Sequence, residues 1–193
     1  MQGEDQKLVQ PGFLNRVKRE IIIPELRSGR RQIGKLYYAS ISLIENDIQY
    51  EKRHDILMMF NKGLIYSLKN VTASEYYKYQ IYQKKRSQKD TLKKLIKYYL
   101  LFKSMKKHGF KVDNRKMETF PWLFASKNVR SRFDGHHRTS VARFLGYCEI
   151  PVLLITPRDI LQLDNLPDDI ASIFIKMENP DMKLYRPYEF ETA

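Results

Sequence analysis

The chain has 193 residues, a net charge of +13 and a hydrophobic content of 42%. These values suffice for one ordinary hydrophobic core and leave little room for a second independent domain. No stretch approaches the roughly 20 consecutive apolar residues of a membrane span, and Met1-Gln2-Gly3-Glu4-Asp5 lacks the order of a secretory signal, so we expect no span and a cytoplasmic location. The single cysteine, Cys148, excludes an internal disulfide and a metal site with several cysteine ligands.

The first 34 residues are typical of a peripheral arm. Pro11-Gly12, Pro24 and the run Arg27-Ser28-Gly29-Arg30-Arg31 punctuate it, and Ile21-Ile22-Ile23 suits one strand or docking segment. We expect the core to span residues 35–160 and a C-terminal extension, residues 161–193, to pack on it.

The next elements predict a strand followed by helices. Leu36 to Ile44 is β-branched and aromatic with partial alternation, which predicts a strand ending near Glu45. Arg53 to Phe60 is typical of a short helix. Thr72 and Glu75 have the spacing of a capping box, which predicts a helix through Tyr82. The tyrosines of that helix could stack on bases, but core packing explains them better.

The longest predicted helix begins near Asp90 and runs to His108, where Gly109 supplies the C-cap. Its predicted apolar face consists of Leu92, Leu95, Ile96, Tyr99, Phe102 and Met105. Its basic face includes Lys93, Lys97, Lys103, Lys106 and Lys107, which are the candidate nucleic-acid contacts.

Charge is unevenly distributed along the chain. The segment from Lys84 to Lys116 holds thirteen Lys or Arg residues and two acids, a net charge of +11, whereas the chain after residue 158 is acidic. Two interpretations stay open: a solvated lysine face, or a surface for phosphate-bearing partners such as nucleic acid or nucleotide.

The second half of the sequence predicts a strand, a turn, a strand, a helix and a buried strand. The strands are Phe120 to Ala125, Val129 to Phe133 and Ile150 to Ile155, and the helix runs from His136 to Leu145. A short helix near residues 168–177 and an irregular tail follow. This order predicts a mixed α/β fold, a small mixed sheet with flanking helices.

The residues best suited to chemistry lie where the second of these strands turns into the helix. Asp134-Gly135-His136-His137-Arg138 combines a carboxylate, a glycine, two imidazoles and a guanidinium. The first helical N–H groups are unpaired and the helix dipole is positive there, so the segment suits an anionic ligand. Gly135 allows close approach of the backbone, and Arg138 can hold phosphate oxygens in a bidentate fork.

The other members of this segment allow several roles. Asp134 could cap the helix, deprotonate a hydroxyl or hold Mg²⁺. His136 and His137 cannot share a helix face, so we expect one to face a ligand and one the core, in either catalytic or structural roles. Thr139 and Arg143 complete the predicted phosphate-binding set.

This segment, with Ala142-Arg143 and Glu149-Ile150-Pro151-Val152, resembles the ParB/sulfiredoxin superfamily, whose core carries a Gly-x-x-Arg loop before a helix and then an Ile-Pro-Val strand. Ile41 to Ile44, Gln49 and Arg53 are similar to its opening strand and basic loop. Ser104 to Phe110 resembles the end of the helix that precedes the family's middle strand. The resemblance covers roughly residues 36–158.

Departures from the family pattern separate its branches. His136 stands where sulfiredoxins have the nucleophilic cysteine, and two histidines replace the Glu and Arg of the CTP-binding partition proteins. The Asp-Gly-His-His-Arg form looks most like the branch of nucleotide-dependent kinases of free serine. That resemblance implies a catalytic role for Asp134, nucleotide phosphates at Gly135 to Arg138, and an early-loop glutamate matched by Glu45 or Glu51.

Three functions follow as hypotheses. The first is a phosphotransferase that binds ATP, ADP or CTP with Mg²⁺ and activates a hydroxyl-bearing or anionic small-molecule acceptor. The second is a nucleic-acid-binding module, with or without nuclease activity, that uses the Lys84–Lys116 surface. The third is a regulator that keeps the fold without turnover. We favour the first.

Overall fold

The computed structural model describes residues 12–28, 33–44, 50–112, 120–164 and 166–189. Several predicted features therefore lie outside the described residues: Pro11 and the Gly29-Arg30-Arg31 run of the arm, Glu45, Gln49, and the end of the basic segment at residues 113–116.

The first half of the chain is mainly helical. Helix α1 leads through a π-helical turn at Lys18–Ile22 into α2, and a π-helical turn at Tyr79–Gln83 likewise continues α5. The elements are α1 (Phe13–Val17), α2 (Ile23–Ser28), β1 (Lys35–Ser40), α3 (Tyr50–Asn61), α4 (Leu68–Ala73), α5 (Glu75–Lys78) and α6 (Gln88–His108).

The second half alternates strands and helices. The elements are β2 (Trp122–Ala125), β3 (Arg130–Arg132), α7 (His136–Phe144), β4 (Glu149–Ile155), α8 (Pro157–Leu161), α9 (Asp168–Ile175) and β5 (Tyr185–Pro187). Together with the first half they confirm the predicted mixed α/β fold, with a mixed sheet and flanking helices.

The chain divides into two units, each built from segments that are distant in sequence. The first, which we call the sheet unit, comprises residues 1–45, 112–135 and 148–193. The second, the helical unit, comprises residues 46–111 and 136–147. The chain passes from the sheet unit into the helical unit between Gly135 and His136, inside the segment that the sequence predicts to be functional.

The sheet unit contains the strands in the order β3-β2-β4-β1-β5. Strand β4 pairs antiparallel with β1 and parallel with β2, so the sheet is mixed. The buried strand predicted at residues 150–155 is this central strand, and all its residues from Ile150 to Ile155 are buried. Apolar residues on both faces are expected for a strand covered on both sides.

The core of the sheet unit joins the N-terminal helices to the sheet. Phe124 stacks on Phe133 with ring centroids 5.5 Å apart and meets Phe174 of α9 edge-on at 5.8 Å. Val17 and Ile22 are fully buried in the same cluster. Ile21 to Ile23 lies in helical backbone, so of the two predicted alternatives the strand is wrong, and the segment docks on the core through a helical apolar face.

The helical unit packs α3, α6 and α7 around aromatic side chains. Phe60 of α3 contacts Tyr98 and Phe102 of α6 at centroid distances of 5.5 and 5.9 Å. The buried face of α6 carries Leu95, Tyr98, Phe102 and Met105, at spacings of three and four. The buried face therefore differs from the predicted apolar face, which included Ile96: in the structure Ile96 is 57% exposed.

A hydroxyl other than the predicted one caps α5. Ser74, not Thr72, is the N-cap, and its hydroxyl oxygen accepts a hydrogen bond from the Tyr77 N–H at 3.2 Å. The Thr72 hydroxyl instead donates to the Leu68 carbonyl at 2.9 Å, one turn earlier in α4. The predicted capping box at Thr72 and Glu75 is therefore wrong.

Among the helices that the structure describes, none is long and apolar enough to cross a membrane.

Candidate functional site

Gly135 is required by the structure of the sheet unit itself. Its φ is +81°, a region that residues with a side chain rarely adopt. A Cβ atom placed there would also lie 2.6 Å from the Cα of Pro121. The predicted reason for this glycine, close approach of a phosphate to the backbone, is therefore not needed to explain it.

Asp134 forms a local turn at the end of the sheet unit. Its carboxylate accepts a hydrogen bond from the Gly135 N–H at 2.7 Å, and its backbone carbonyl accepts from the Trp122 N–H at 3.4 Å. The side chain is exposed. Asp134 therefore presents a solvated carboxylate immediately before α7 in the chain.

His137 lies in the interior of the helical unit. Its Nε2 atom is 2.8 Å from the Tyr76 hydroxyl, and its ring meets that of Tyr98 edge-on with centroids 4.5 Å apart. The carbonyl of His136, one residue earlier, accepts a hydrogen bond from the Ser140 hydroxyl at 2.7 Å. Aromatic contacts and one hydroxyl thus fix the His137 imidazole.

Burial and positive neighbours keep the His137 imidazole neutral. Burial has the largest effect on the pKa of His137, and the charges of Arg53, Lys94, His136 and Arg86 follow in that order; together they lower it to about 3. A neutral imidazole has one donor and one acceptor nitrogen, so the Tyr76 hydroxyl can be either partner. This histidine is a hydrogen-bonding group rather than a charge at neutral pH.

A group of cations lies in the same unit as His137. Lys94 of α6 is half-buried and donates a hydrogen bond to the Gln80 side-chain oxygen at 3.4 Å. Arg53 of α3 is only 5% exposed. Burial lowers the pKa of Lys94 to about 8, and the charges of Arg86, Arg53 and Lys84 contribute to the same effect.

No described carboxylate offsets the charge at Lys94. The groups that act on its pKa, besides burial, are the three cations Arg86, Arg53 and Lys84. We call Arg53, Arg86, Lys94 and Lys84 the cation cluster. Because these positive charges surround the Lys94 ammonium, a nearby anion would stabilise it strongly.

Aromatic rings border the cation cluster. Lys84 and Lys52 lie over the ring of Tyr79, with the ammonium nitrogens 5.6 and 4.7 Å from its centroid. Burial raises the pKa of Tyr76 to about 12, although Arg53 and Arg86 oppose the shift. The Tyr76 hydroxyl therefore stays protonated and keeps its hydrogen bond to His137.

The remaining predicted site residues occupy varied positions. Thr139 is 1% exposed, so we do not include it among the groups that meet a surface ligand. Arg143 lies over the Tyr50 ring, 5.1 Å from its centroid, and Arg138 is partly buried in the first turns of α7. Glu51 is exposed in the first turn of α3.

The predicted basic face of α6 is exposed. Lys106 donates a hydrogen bond to the Asn61 side-chain oxygen at 2.8 Å, and Lys103 and Lys106 lie over neighbouring aromatic rings. The predicted nucleic-acid contacts on the solvent side of the helix are Lys93, Lys97, Lys103, Lys106 and Lys107.

Sequence reasoning missed several residues around His137. Arg86, Lys94, Gln80 and Tyr76 were not predicted as site residues, because a basic run gives no sign of which of its side chains lie near His137. One signal was available in the sequence: the polar residue Gln80 directly follows Tyr76, Tyr77 and Tyr79, and the structure buries it with these tyrosines, leaving it 3% exposed. A buried amide needs a partner, and that partner is Lys94.

Neither the comparisons with known proteins nor the positions of possible metal ligands within the described residues identify a function. The chain matches no model of a known protein family, no curated protein and no solved structure. Within the described residues, no three His, Cys, Asp or Glu side chains gather as a set of metal ligands.

Proposed function

We propose that this protein binds a nucleotide through its phosphate groups and transfers phosphate to a hydroxyl-bearing acceptor. The observation that supports this most is the cation cluster beside His137. Lys94 and Arg86 are positive, and no carboxylate among the described residues acts on Lys94. Phosphate is the common biological anion with enough charge and enough acceptor oxygens to serve several such cations at once.

The positive charges around Lys94 favour the binding of an anion. Burial disfavours the charge of Lys94 most strongly, and the charges of Arg86, Arg53 and Lys84 disfavour it further. A phosphate group placed among them replaces repulsion by attraction and raises the pKa of Lys94 toward its ordinary value. Anion binding is therefore coupled to proton uptake above neutral pH.

The first turn of α7 adds positive charge in the same helical unit. His136, His137 and Arg138 form that turn. The helix dipole is positive at this end. We propose that this helix end and the Arg138 guanidinium attract one phosphate, with the cation cluster holding its neighbours in the polyphosphate chain.

Asp134 is the proposed base for the acceptor hydroxyl. The proposal rests on its position in the sequence, immediately before Gly135 and α7, and on its exposed carboxylate. The other proposed role is a ligand for Mg²⁺, which in nucleotide sites takes one or two carboxylates together with the phosphates. When bound, Mg²⁺ would supply charge neutralisation of those phosphates. The acceptor is a hydroxyl-bearing or anionic small molecule.

Nucleic-acid binding is the second candidate function. It is favoured by the exposed lysines of α6, among them Lys93, Lys97 and Lys107, which present positive charge along a helix face. Nothing in that face selects a nucleotide over a nucleic-acid backbone. The half-buried Lys94 and the buried Arg53 suit a compact phosphate better than a polymer.

A thermal-shift screen of the full chain tests the proposed function. ATP, ADP and CTP, each with Mg²⁺, should raise the melting temperature of the wild type, and Arg138→Ala should abolish the shift. A ligand near 100 times its dissociation constant stabilises by about 2.7 kcal/mol, a shift of several degrees. No shift with any of the three nucleotides would refute the proposal.

Phosphate transfer requires a separate experiment. Asp134→Asn should retain nucleotide binding and melting temperature and lose transfer of labelled phosphate, because the amide cannot accept the hydroxyl proton. Asp164→Asn, an exposed acid elsewhere in the sheet unit, is the matched control. Transfer that survives Asp134→Asn would remove Asp134 as the base.

A further inference from the structure

A cavity in the sheet unit contains none of the residues of the proposed nucleotide site. Its volume is about 300 Å³, the lower end of the range for small-molecule sites. Strands β1 and β4 supply one side, and the segments around α8 and before β5 supply the other. It is lined by Lys35, Tyr37, Leu154, Thr156, Arg158, Asp159, Asn179 and Met182.

The cavity combines an apolar floor with an aromatic wall. Leu154 is 1% exposed and pairs with Lys35 across the β1–β4 ladder. Tyr37 is two residues from Lys35 in β1, so both side chains lie on the same face of the sheet. Met182 adds an adaptable apolar side chain at the rim. These groups suit the flat or apolar body of a small ligand.

Two cations of the cavity form no ion pair with any described residue. Within the part of the chain that the structure describes, neither the Lys35 ammonium nor the Arg158 guanidinium forms an ion pair. The Asp159 carboxylate, which also lines the cavity, accepts hydrogen bonds from the Thr156 N–H at 2.8 Å and from its hydroxyl at 2.6 Å. Asp159 is thus engaged in capping α8.

Asn179 adds a neutral donor to the cavity. Its side-chain oxygen accepts a hydrogen bond from the Arg158 backbone N–H at 3.3 Å. That bond fixes the amide orientation and leaves its NH₂ group, with two donors, free of any described partner. Donors therefore dominate the polar lining: an ammonium, a guanidinium and an amide NH₂.

We infer that this cavity binds a small organic anion, with its carboxylate or phosphate between Lys35 and Arg158 and its apolar or ring body against Tyr37, Leu154 and Met182. Arg158 offers the planar fork that both kinds of head group accept in a bidentate fashion. The site is distinct from the proposed nucleotide site, because the two share no residue.

Methionine methyl NMR separates this site from the helical unit. The chain contains seven methionines, and Met182 lines the cavity whereas Met58 and Met105 lie in the helical unit. The full chain labelled with ¹³C-methyl methionine is titrated with phenyl phosphate, with benzoate and with neutral benzyl alcohol. Met182→Leu assigns the reporting signal.

The inference predicts a saturable shift of the Met182 methyl with phenyl phosphate or benzoate at concentrations up to about 5 mM, and none with benzyl alcohol. Whichever of phenyl phosphate and benzoate binds more tightly shows whether the cavity prefers a phosphate or a carboxylate head group. Arg158→Gln should weaken binding about tenfold, the loss of one charge-assisted hydrogen bond. Lys176→Gln, an exposed lysine outside the cavity, should leave binding unchanged.

Three results would overturn the inference: no saturable shift of Met182 with either anion, an equal shift with benzyl alcohol, or affinity that survives both Arg158→Gln and Lys35→Met. Shifts confined to Met58 or Met105 would also overturn it while leaving the proposed nucleotide site standing. Should Arg158→Gln fail to fold, as judged by its melting curve, Lys35→Met carries the same comparison.

Discussion

The neutral state of His137 has a consequence for stability that can be measured. In the unfolded chain this histidine takes up a proton near pH 6.5, whereas burial and the neighbouring cations lower its folded pKa to about 3. Between these values the unfolded state binds more protons than the folded state. The contribution of the neutral His137 to the free energy of unfolding is therefore complete above pH 6.5, and it is lost progressively as the pH falls toward 3.

The magnitude follows from the same two values. Each pH unit below 6.5 costs about 1.4 kcal/mol of folding free energy until the folded pKa is reached. At about pH 4.5 the loss through His137 alone is therefore about 3 kcal/mol. Such a loss is a large fraction of the stability of an ordinary domain, about 5–15 kcal/mol.

Urea denaturation of three proteins isolates this contribution. His137→Gln keeps a hydrogen-bonding group near the Tyr76 hydroxyl but cannot titrate. Between pH 7 and about pH 4.5, the decrease in the free energy of unfolding should be about 3 kcal/mol smaller for His137→Gln than for the wild type. His108→Gln, an exposed histidine at the end of α6, should follow the wild type. Equal pH dependence of wild type and His137→Gln would refute the reasoning.

Three further predictions follow from local geometry. Gly135→Ala should lower the free energy of unfolding by about 2 kcal/mol more than Gly146→Ala, since both glycines have φ near +80° but only at Gly135 would the new Cβ overlap a proline; equal losses in chemical denaturation would contradict that contact. Ser74→Ala should cost about 1 kcal/mol and Thr72→Ala clearly less, because Ser74 is the N-cap; the reverse order would refute this cap assignment. In filter binding, Lys97→Gln should reduce the salt slope of any nucleic-acid binding by about one; an unchanged slope would remove Lys97 from that surface.

Strands β2 and β4 could be predicted because they are short apolar runs bounded by clear breaks, whereas β5 lies in the tail that was predicted to be irregular, and β1 ends at Ser40 rather than near Glu45. The observed β4 begins one residue before the predicted strand, and α7 ends one residue before the predicted helix end. Both are enclosed by Gly135, Gly146 and Pro157, residues whose backbone preferences act locally. Element type was therefore readable wherever local signals and burial agree.

Which face of α6 is buried could not be predicted from the sequence in the same way. Ile96 is more hydrophobic than Tyr98, yet Ile96 is exposed and Tyr98 is 2% exposed. Contacts with Phe60 and His137, both distant in sequence, select the tyrosine. A helical pattern rich in both lysine and apolar residues permits more than one buried face, and tertiary packing chooses between them.

The candidate site was partly visible from the sequence. The adjacent histidines predicted that one would face the core, and His137 does lie against Tyr76 and Tyr98. The cation cluster was not predicted, because Lys94 and Arg86 are indistinguishable in sequence from their exposed basic neighbours. Only the fold brings them beside a buried imidazole.

Calorimetric titration of ATP in two buffers of different ionisation enthalpy at pH 8 tests the central claim most directly. Lys94, with a pKa of about 8, is half-protonated there, and a phosphate ligand should raise that pKa. The account predicts uptake of up to about half a proton per ATP bound. Lys94→Met should abolish that uptake, and Arg86→Gln should weaken binding, whereas Lys97→Gln should change neither. Absence of ATP binding, or proton uptake unchanged by Lys94→Met, would contradict the account.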